Sequence, residues 1–260
     1  MKKQLIALLF AMMPVSVLAA AGGGYPLDEA NIDLTDKASL QDGARTFVNY
    51  CMGCHSAQYQ RYERVANDLG IPDELMVENL IFTDALIGEH MKNGMRPADG
   101  KEWFGAAPPD LTLVSRVRGE DWLYTYLRTF YEDPSRPFGW NNKVFPNVGM
   151  PHVLDELQGR QVIGCKAMPV MEEGEVKRDT LTGETVKDEQ CNVLTVVEGT
   201  GTQTEEEFDT TVRNLVAFLA YSADPIKLER HRIGIYVLLY LAFFFVFAYL
   251  LKREYWKDVH

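Results

Sequence analysis

The sequence predicts a mainly α protein: one helical globular domain with loop insertions, held to a membrane by a single C-terminal transmembrane helix. Three observations predict it. Apolar residues recur at spacings of three and four near residues 37–50, 121–131 and 205–221, the period of helices that bury one face. Between them lie loops rich in Pro, Gly and Asn, and a polar insertion over 160–205. Close to the C-terminus, Ile233 to Leu251 carries no charge.

Of the 260 residues, 47% are hydrophobic and 24% charged, enough for one core of ordinary size plus extensions, which argues against disorder and fibrous architecture. The net charge of −11 would repel backbone phosphates, so no nucleic-acid partner is expected. It favours basic partners, and Glu172-Glu173, Asp188-Glu189 and Glu205-Glu206-Glu207 are its most concentrated runs. Each run is also compatible with plain solvated loop charge.

The N-terminus has Lys2-Lys3, an apolar run from Leu5 to Met13, and small residues at Ala19, Ala20 and Ala21. This is the pattern of a secretory signal peptide, here residues 1–20, with the mature domain occupying 21–228. Gly22-Gly23-Gly24 and Tyr25-Pro26 form an irregular lead-in. A helix is predicted from Lys37 to Tyr50, with Leu40, Ala44, Phe47, Val48 and Cys51 on one stripe. Gly43 inside it costs about 1 kcal/mol relative to Ala and so implies a close helix–helix approach.

From Arg61 to Gly94 the pattern is helical in short pieces, one starting at Pro72. Asp110 to Arg118 follows the Pro108-Pro109 pair, and a helix from Asp121 to Tyr131 places Trp122, Tyr126 and Phe130 four apart. Pro134, Pro137, Asn141-Asn142, Pro146 and Pro151 mark a loop-rich stretch. Within the insertion, Asn192 to Val197 alternates as a small hairpin would. The helix near 205–221 carries Phe208, Val212, Leu215, Val216 and Leu219 on one face and ends at Asp224-Pro225.

At about 1.5 Å per residue, the uncharged run spans roughly 28 Å, close to a bilayer's hydrocarbon thickness, and defines an anchor over 229–252. Lys227, Arg230 and Arg232 precede it while Lys252, Arg253 and Lys257 follow, so basic residues alone leave its orientation open. The exported N-terminus decides it: the globular domain lies in the periplasm, the anchor crosses the inner membrane once, and the tail 253–260 is cytoplasmic. Tyr249, Tyr255 and Trp256 then sit at the inner interface.

Cys51-Met52-Gly53-Cys54-His55 is a CxxCH motif. Two thiols three positions apart on a helical turn can each add to a vinyl group of one haem, and the adjacent His55 is then held beneath the iron. One covalently bound haem c is therefore expected. A redox dithiol would need a strand–helix setting the pattern lacks, and a zinc site would need a second close ligand pair, whereas Cys165 and Cys191 lie far apart. In an oxidising compartment Cys165 and Cys191 are expected to form a disulfide, the alternative being two buried thiols. Closing a loop of that size contributes about 3 to 4 kcal/mol in the chain-entropy model.

A second axial ligand separates an electron carrier from a small-molecule binder. Met76, Met91, Met95, Met150, Met168, Met171, His90 and His152 are the candidates. An axial thioether usually arrives on a loop that can cross the haem face, and Met150 in Asn147-Val148-Gly149-Met150-Pro151-His152 has that setting. Its neighbour His152 is expected at the surface or the haem edge.

Taken in order, Cys51 to His55 with Ser56, Pro108-Pro109-Asp110-Leu111 with Arg116 and Arg118, Gly149-Met150-Pro151 and the C-terminal anchor resemble the cytochrome c1 family over nearly the whole mature chain. The resemblance implies a class I cytochrome c fold in which the helix before the haem crosses the last globular helix. It implies His55 and Met150 as axial ligands, Cys51 and Cys54 as thioether sites, Pro109 in the haem pocket, and Arg118 beside a haem propionate. Many members have Ala-Met-Pro at the ligand; this chain has Gly149-Met150-Pro151 there and a second such motif at Ala167-Met168-Pro169, so Met168 remains a competitor.

The implied function is electron transfer from a Rieske iron-sulfur protein to a c-type cytochrome within a dimeric cytochrome bc1 complex that also contains cytochrome b. Alternatives are a free-standing anchored monohaem cytochrome feeding a terminal oxidase, and a haem-based sensor or binding module. The few residues after Leu251 make a poor cytoplasmic output domain.

Overall fold

The computed structural model describes residues 25–172, 175–179 and 182–257. The signal peptide expected at 1–20 and the last three residues of the tail lie outside them. Helix α1 (Lys37–Thr46) starts where Asp36 caps the backbone N–H groups of Ala38 and Ser39, and passes into a π turn over Phe47–Cys51. Strand β1 (Ala57–Arg61) leads to α2 (Tyr62–Leu69) and α3 (Asp73–Leu80), whose N-cap is Pro72. Strand β2 (His90–Met91) returns to pair antiparallel with β1.

Then follow α4 (Pro97–Phe104), α5 (Val114–Arg118) and α6 (Glu120–Arg128). A hairpin of β3 (Phe130–Glu132) and β4 (Trp140–Asn142) precedes the short α7 (Asp155–Gln158). The insertion is a larger hairpin than its Asn192–Val197 fragment predicts. Strand β5 (Gln161–Pro169) pairs antiparallel with β8 (Lys187–Val196), and β6 (Met171–Glu172) with β7 (Glu175–Val176) near the tip. Helix α8 (Glu205–Ala223) closes the domain and α9 (Lys227–Tyr255) leaves it.

Helix α8 is the centre of the fold. Its start is fixed by a capping box between Thr204 and Glu207, and Glu205, Glu206 and Glu207 complement the positive end of the helix. These acids therefore serve the helix terminus first. Val212, Leu215, Val216, Ala217 and Phe218 are fully buried. Helix α1 crosses this face at the glycine the sequence singled out: a Cβ on Gly43 would strike the Asn214 carbonyl and come within 2.8 Å of the Phe218 Cβ. Above and below that point Ser39 Oγ donates to Asn214 Oδ1 (2.7 Å) and the Phe47 and Phe218 rings meet at 5.5 Å. Helix α6 packs on α8 from another side, where Arg128 binds both Asp209 oxygens (Nε 2.5 Å, Nη2 3.0 Å).

The helix expected through Tyr131 stops at Arg128, and Phe130 lies in β3. Helix α9 outruns the uncharged segment by a turn or more at the N-terminal end, where Lys227 pairs with Glu120 (3.1 Å) and Arg230 with Asp224 (2.7 Å). None of its residues is buried against the domain, and it is long and apolar enough to cross a membrane. The insertion carries the Cys165–Cys191 disulfide at directly opposed positions of β5 and β8, with both cysteines exposed.

Candidate functional site: an apolar cleft between His55 and Met150

One apolar cleft opens between the π turn, α5, α6, the Met150 loop and α8, with a cavity volume of about 320 Å³. Leu215 and Leu219 of α8, Leu123, Tyr126 and Leu127 of α6, and Val114 of α5 form much of its wall. Cys51, Cys54 and His55 line it together with Val148, Gly149, Met150 and Pro151, and Arg118 is the one charged side chain in the lining.

The π turn explains why the motif faces inward. It continues the buried stripe of α1 to Cys51 and then releases the chain, with the Cys54 and His55 N–H groups both donating to the Cys51 carbonyl. His55 is buried, and its Nδ1 lies 2.7 Å from the Pro109 carbonyl. A carbonyl can only accept, so Nδ1 carries the proton and Nε2 is left with its lone pair, the tautomer a metal ligand needs. Burial, the largest influence on this imidazole, lowers its pKa and favours the neutral form, against smaller opposing effects of Pro109 and Asp110. Pro109 thus acts through its backbone carbonyl. Burial and then the neighbouring Cys54 push the Cys51 thiol up to about 12, so that without a bound group it stays a thiol. Among the described residues no three His, Cys, Asp or Glu side chains gather as a metal site.

Of the candidate second ligands, Met150 lines this cleft. Met76 and Met91 are buried in the core, Met171 is exposed, and Met95 borders a separate polar hollow with Asn93 and Asp110. His90 sits in β2 beside β1, and Met168 belongs to β5, opposite Asp188 in the insertion. His152 is neither at the surface nor in the cleft lining. It is 4% exposed, stacked on Phe130 (ring centroids 5.1 Å, 2° apart), with Nε2 2.8 Å from Gln158 Oε1. The sequence expectation failed because the side chain turns back into the pocket between Phe130 and Trp140.

Arg118 is exposed at the rim, its guanidinium 4.9 Å from the Trp122 ring centre and 5.8 Å from that of Phe145. No carboxylate among the described residues pairs with it. Two features escaped the sequence. Tyr126 Oη donates to Met150 Sδ at 3.3 Å from a side chain that looked like one more member of a helical stripe. Gly149 is required because a Cβ there would sit 2.8 Å from the Phe104 carbonyl. An apolar space, a neutral imidazole, a thioether, two thiols and a guanidinium without a carboxylate partner among the described residues fit a haem and its propionates.

A mainly helical domain folded round such a cleft and joined to a membrane-length helix defines a membrane-anchored, haem-binding cytochrome. The chain belongs to the cytochrome c1 family: the family model described as Cytochrome C1 family matches residues 83–259. It is 50% identical over 258 residues to cytochrome c1 of Allochromatium vinosum, covering 99% of this chain and 100% of that one. It is also 42% identical over 253 residues to a Nitrosomonas europaea protein named ammonia monooxygenase gamma subunit, covering 97% of each. Cytochrome c1 of Rhodospirillum rubrum is more distant, 22% identical over 289 residues, covering 96% of this chain and 97% of that one.

Proposed function

We propose that this chain is the electron-transfer subunit of a cytochrome bc1 complex, taking electrons from the Rieske iron-sulfur protein and passing them to a c-type cytochrome. Cytochrome b is its membrane partner, and the complex is a dimer. Residues 1–20 direct export, 21–228 form the periplasmic domain with its 160–205 insertion, 229–252 cross the inner membrane, and 253–260 lie in the cytoplasm.

Bound in the cleft, a haem supplies an iron that gains or loses one electron. Cys51 and Cys54 are assigned to its covalent attachment, His55 Nε2 and Met150 Sδ to the two axial positions, and Arg118 to a propionate. The observation that carries this reading is the pairing of His55 Nδ1 with the Pro109 carbonyl in the cleft that Met150 also lines. That pairing fixes which nitrogen is basic, and a thioether opposite it leaves no position for oxygen or another small molecule. The domain is therefore a relay, with quinol chemistry elsewhere in the complex.

The test is to denature the purified membrane complex, stain for haem and identify what travels with it. Haem should remain on this chain, cytochrome b and an iron-sulfur protein should co-purify, and C51A/C54A should lose the stain. A Met150→Leu variant should lose the weak red absorption band of a thioether bound to ferric haem. A colourless mature chain, or native protein whose reduced iron readily takes up carbon monoxide, would overturn the reading.

A further inference from the structure

The stretch from Lys143 to Met150 has no helix or strand, yet two buried side chains dictate its course. Asn141 and Asn142 are 7% and 1% exposed. Asn142 Nδ2 donates to the Tyr126 carbonyl (2.7 Å), while its Oδ1 accepts from the N–H groups of Val144 (2.9 Å) and Phe145 (3.0 Å). Asn141 Oδ1 accepts from the N–H of Asn147 (2.8 Å), and its Nδ2 donates to Asp133 Oδ2 (2.8 Å). The Asn147 carbonyl in turn accepts from Arg136 Nη2 (2.8 Å). Asn147 is thus gripped at both backbone groups in a left-handed conformation, φ 63°.

We propose that Asn141 is a positioning residue for the second axial ligand, setting through Asn147 how far Met150 stands from His55 across the cleft. This rests on the assignment of Met150 as that ligand. Three positions separate Asn147 from Met150, and Gly149 between them is pressed against the Phe104 carbonyl. With so short a link, slack at Asn147 is passed to Met150 rather than absorbed.

The residue type is demanding. Asn141 accepts from the N–H groups of Asn142 and Asn147 through Oδ1 and donates to a carboxylate through Nδ2, a division of roles that the planar amide makes from two separate atoms. Asp133 stays ionised: bonding from Ser135 first, and then from Asn141, holds its carboxyl below the ordinary range, with Arg136 adding attraction. Asn141→Asp keeps shape and acceptors but sets carboxylate against carboxylate. Adding Asp133→Asn reverses the polarity of the pair: the amide now at position 133 can donate to the carboxylate at position 141 and still accept from Ser135, with the wild-type net charge.

The experiment compares the solubilised complex as wild type, N141D and N141D/D133N, reading the red thioether–iron band of the ferric form and carbon monoxide uptake of the ferrous form. N141D should shift the ratio of ligated to unligated iron by about tenfold, weakening the band and admitting carbon monoxide. The double variant should restore both. An N141D protein indistinguishable from wild type, or a double variant as impaired as the single one or failing to accumulate haem, overturns the proposal. If wild type lacks the band, or Met150→Leu keeps it, the ligand assignment itself fails and this inference falls with it.

Discussion

Tyr126 and His152 illustrate how much a single side chain depends on where its backbone is sent. The Tyr126 hydroxyl donates to Met150 Sδ from 24 positions away in the chain, and burial raises its pKa, so it remains a donor at any working pH. With a haem held by Met150, a hydrogen bond to the thioether would withdraw electron density from that ligand and disfavour the oxidised state. Only the difference in its strength between the two oxidation states moves the potential, so a hydrogen bond worth about 1 kcal/mol bounds the shift at about 40 mV, and Tyr126→Phe should lower the midpoint by up to that amount in a redox titration, with the red band retained. His152 offers a separate test. Burial, opposed by Gln158 and Asp155, lowers its pKa from 6.5 to about 4. The unfolded chain then binds a proton between those values while the folded one does not, so stability is complete above about pH 6.5 and declines as pH falls toward 4. The loss reaches about 3 kcal/mol. Thermal melts across that range should show a steeper acid decline for wild type than for His152→Asn. The CxxCH motif at Cys51 to His55 could be read from spacing alone, because the motif is local. The partners of Tyr126, Asn141 and His152 were not, since nothing in a stripe or an Asn-Asn pair says what lies opposite.

Among the elements, the crossing of α1 and α8 was legible and the insertion only partly so. A glycine in an otherwise strong helical stripe needs a reason, and Gly43 has one in the Asn214 carbonyl. Gly43→Ala should gain up to about 1 kcal/mol of helix propensity but lose about 1 to 3 kcal/mol through overpacking. A net fall in melting temperature is expected, and an unchanged or higher one would show that the helices can part without cost. In the insertion, alternation over Asn192 to Val197 revealed only the C-terminal half of β8, because the facing strand β5 carries Gly164, Cys165, Lys166 and Pro169, which break the pattern. The disulfide joins exposed positions of the two strands, so the stabilisation it gives by closing the loop falls on the insertion and not on the buried α1–α8 core. C165A/C191A should therefore leave the melting of the helical core nearly unchanged while limited proteolysis cuts between residues 165 and 191 several times faster. The β3–β4 hairpin was missed because Pro134 and Pro137 make the sequence look like loop, although they fall in the turn and leave the paired residues free to bond.

Over the whole molecule, domain and anchor are joined by few contacts. No residue of α9 is buried, and the ion pairs at its start, Lys227–Glu120 and Arg230–Asp224, are partly exposed. A chain ending after Ile226 should give a water-soluble domain with the haem spectrum of the full chain and a melting temperature within a few degrees of it. Aggregation or loss of the red band would show that the anchor supports the cleft. The sequence by itself determined the membrane-length helix, the CxxCH motif and the principal helices, because each is written in the spacing of near neighbours or in an unbroken run of one residue kind. Only the tertiary structure decided which methionine meets the cleft, which histidine nitrogen is basic, and what holds the loop between Asn141 and Met150. Those depend on hydrogen bonds and packing between residues far apart in the chain, whose distances are set when α1, α6 and α8 close on one another.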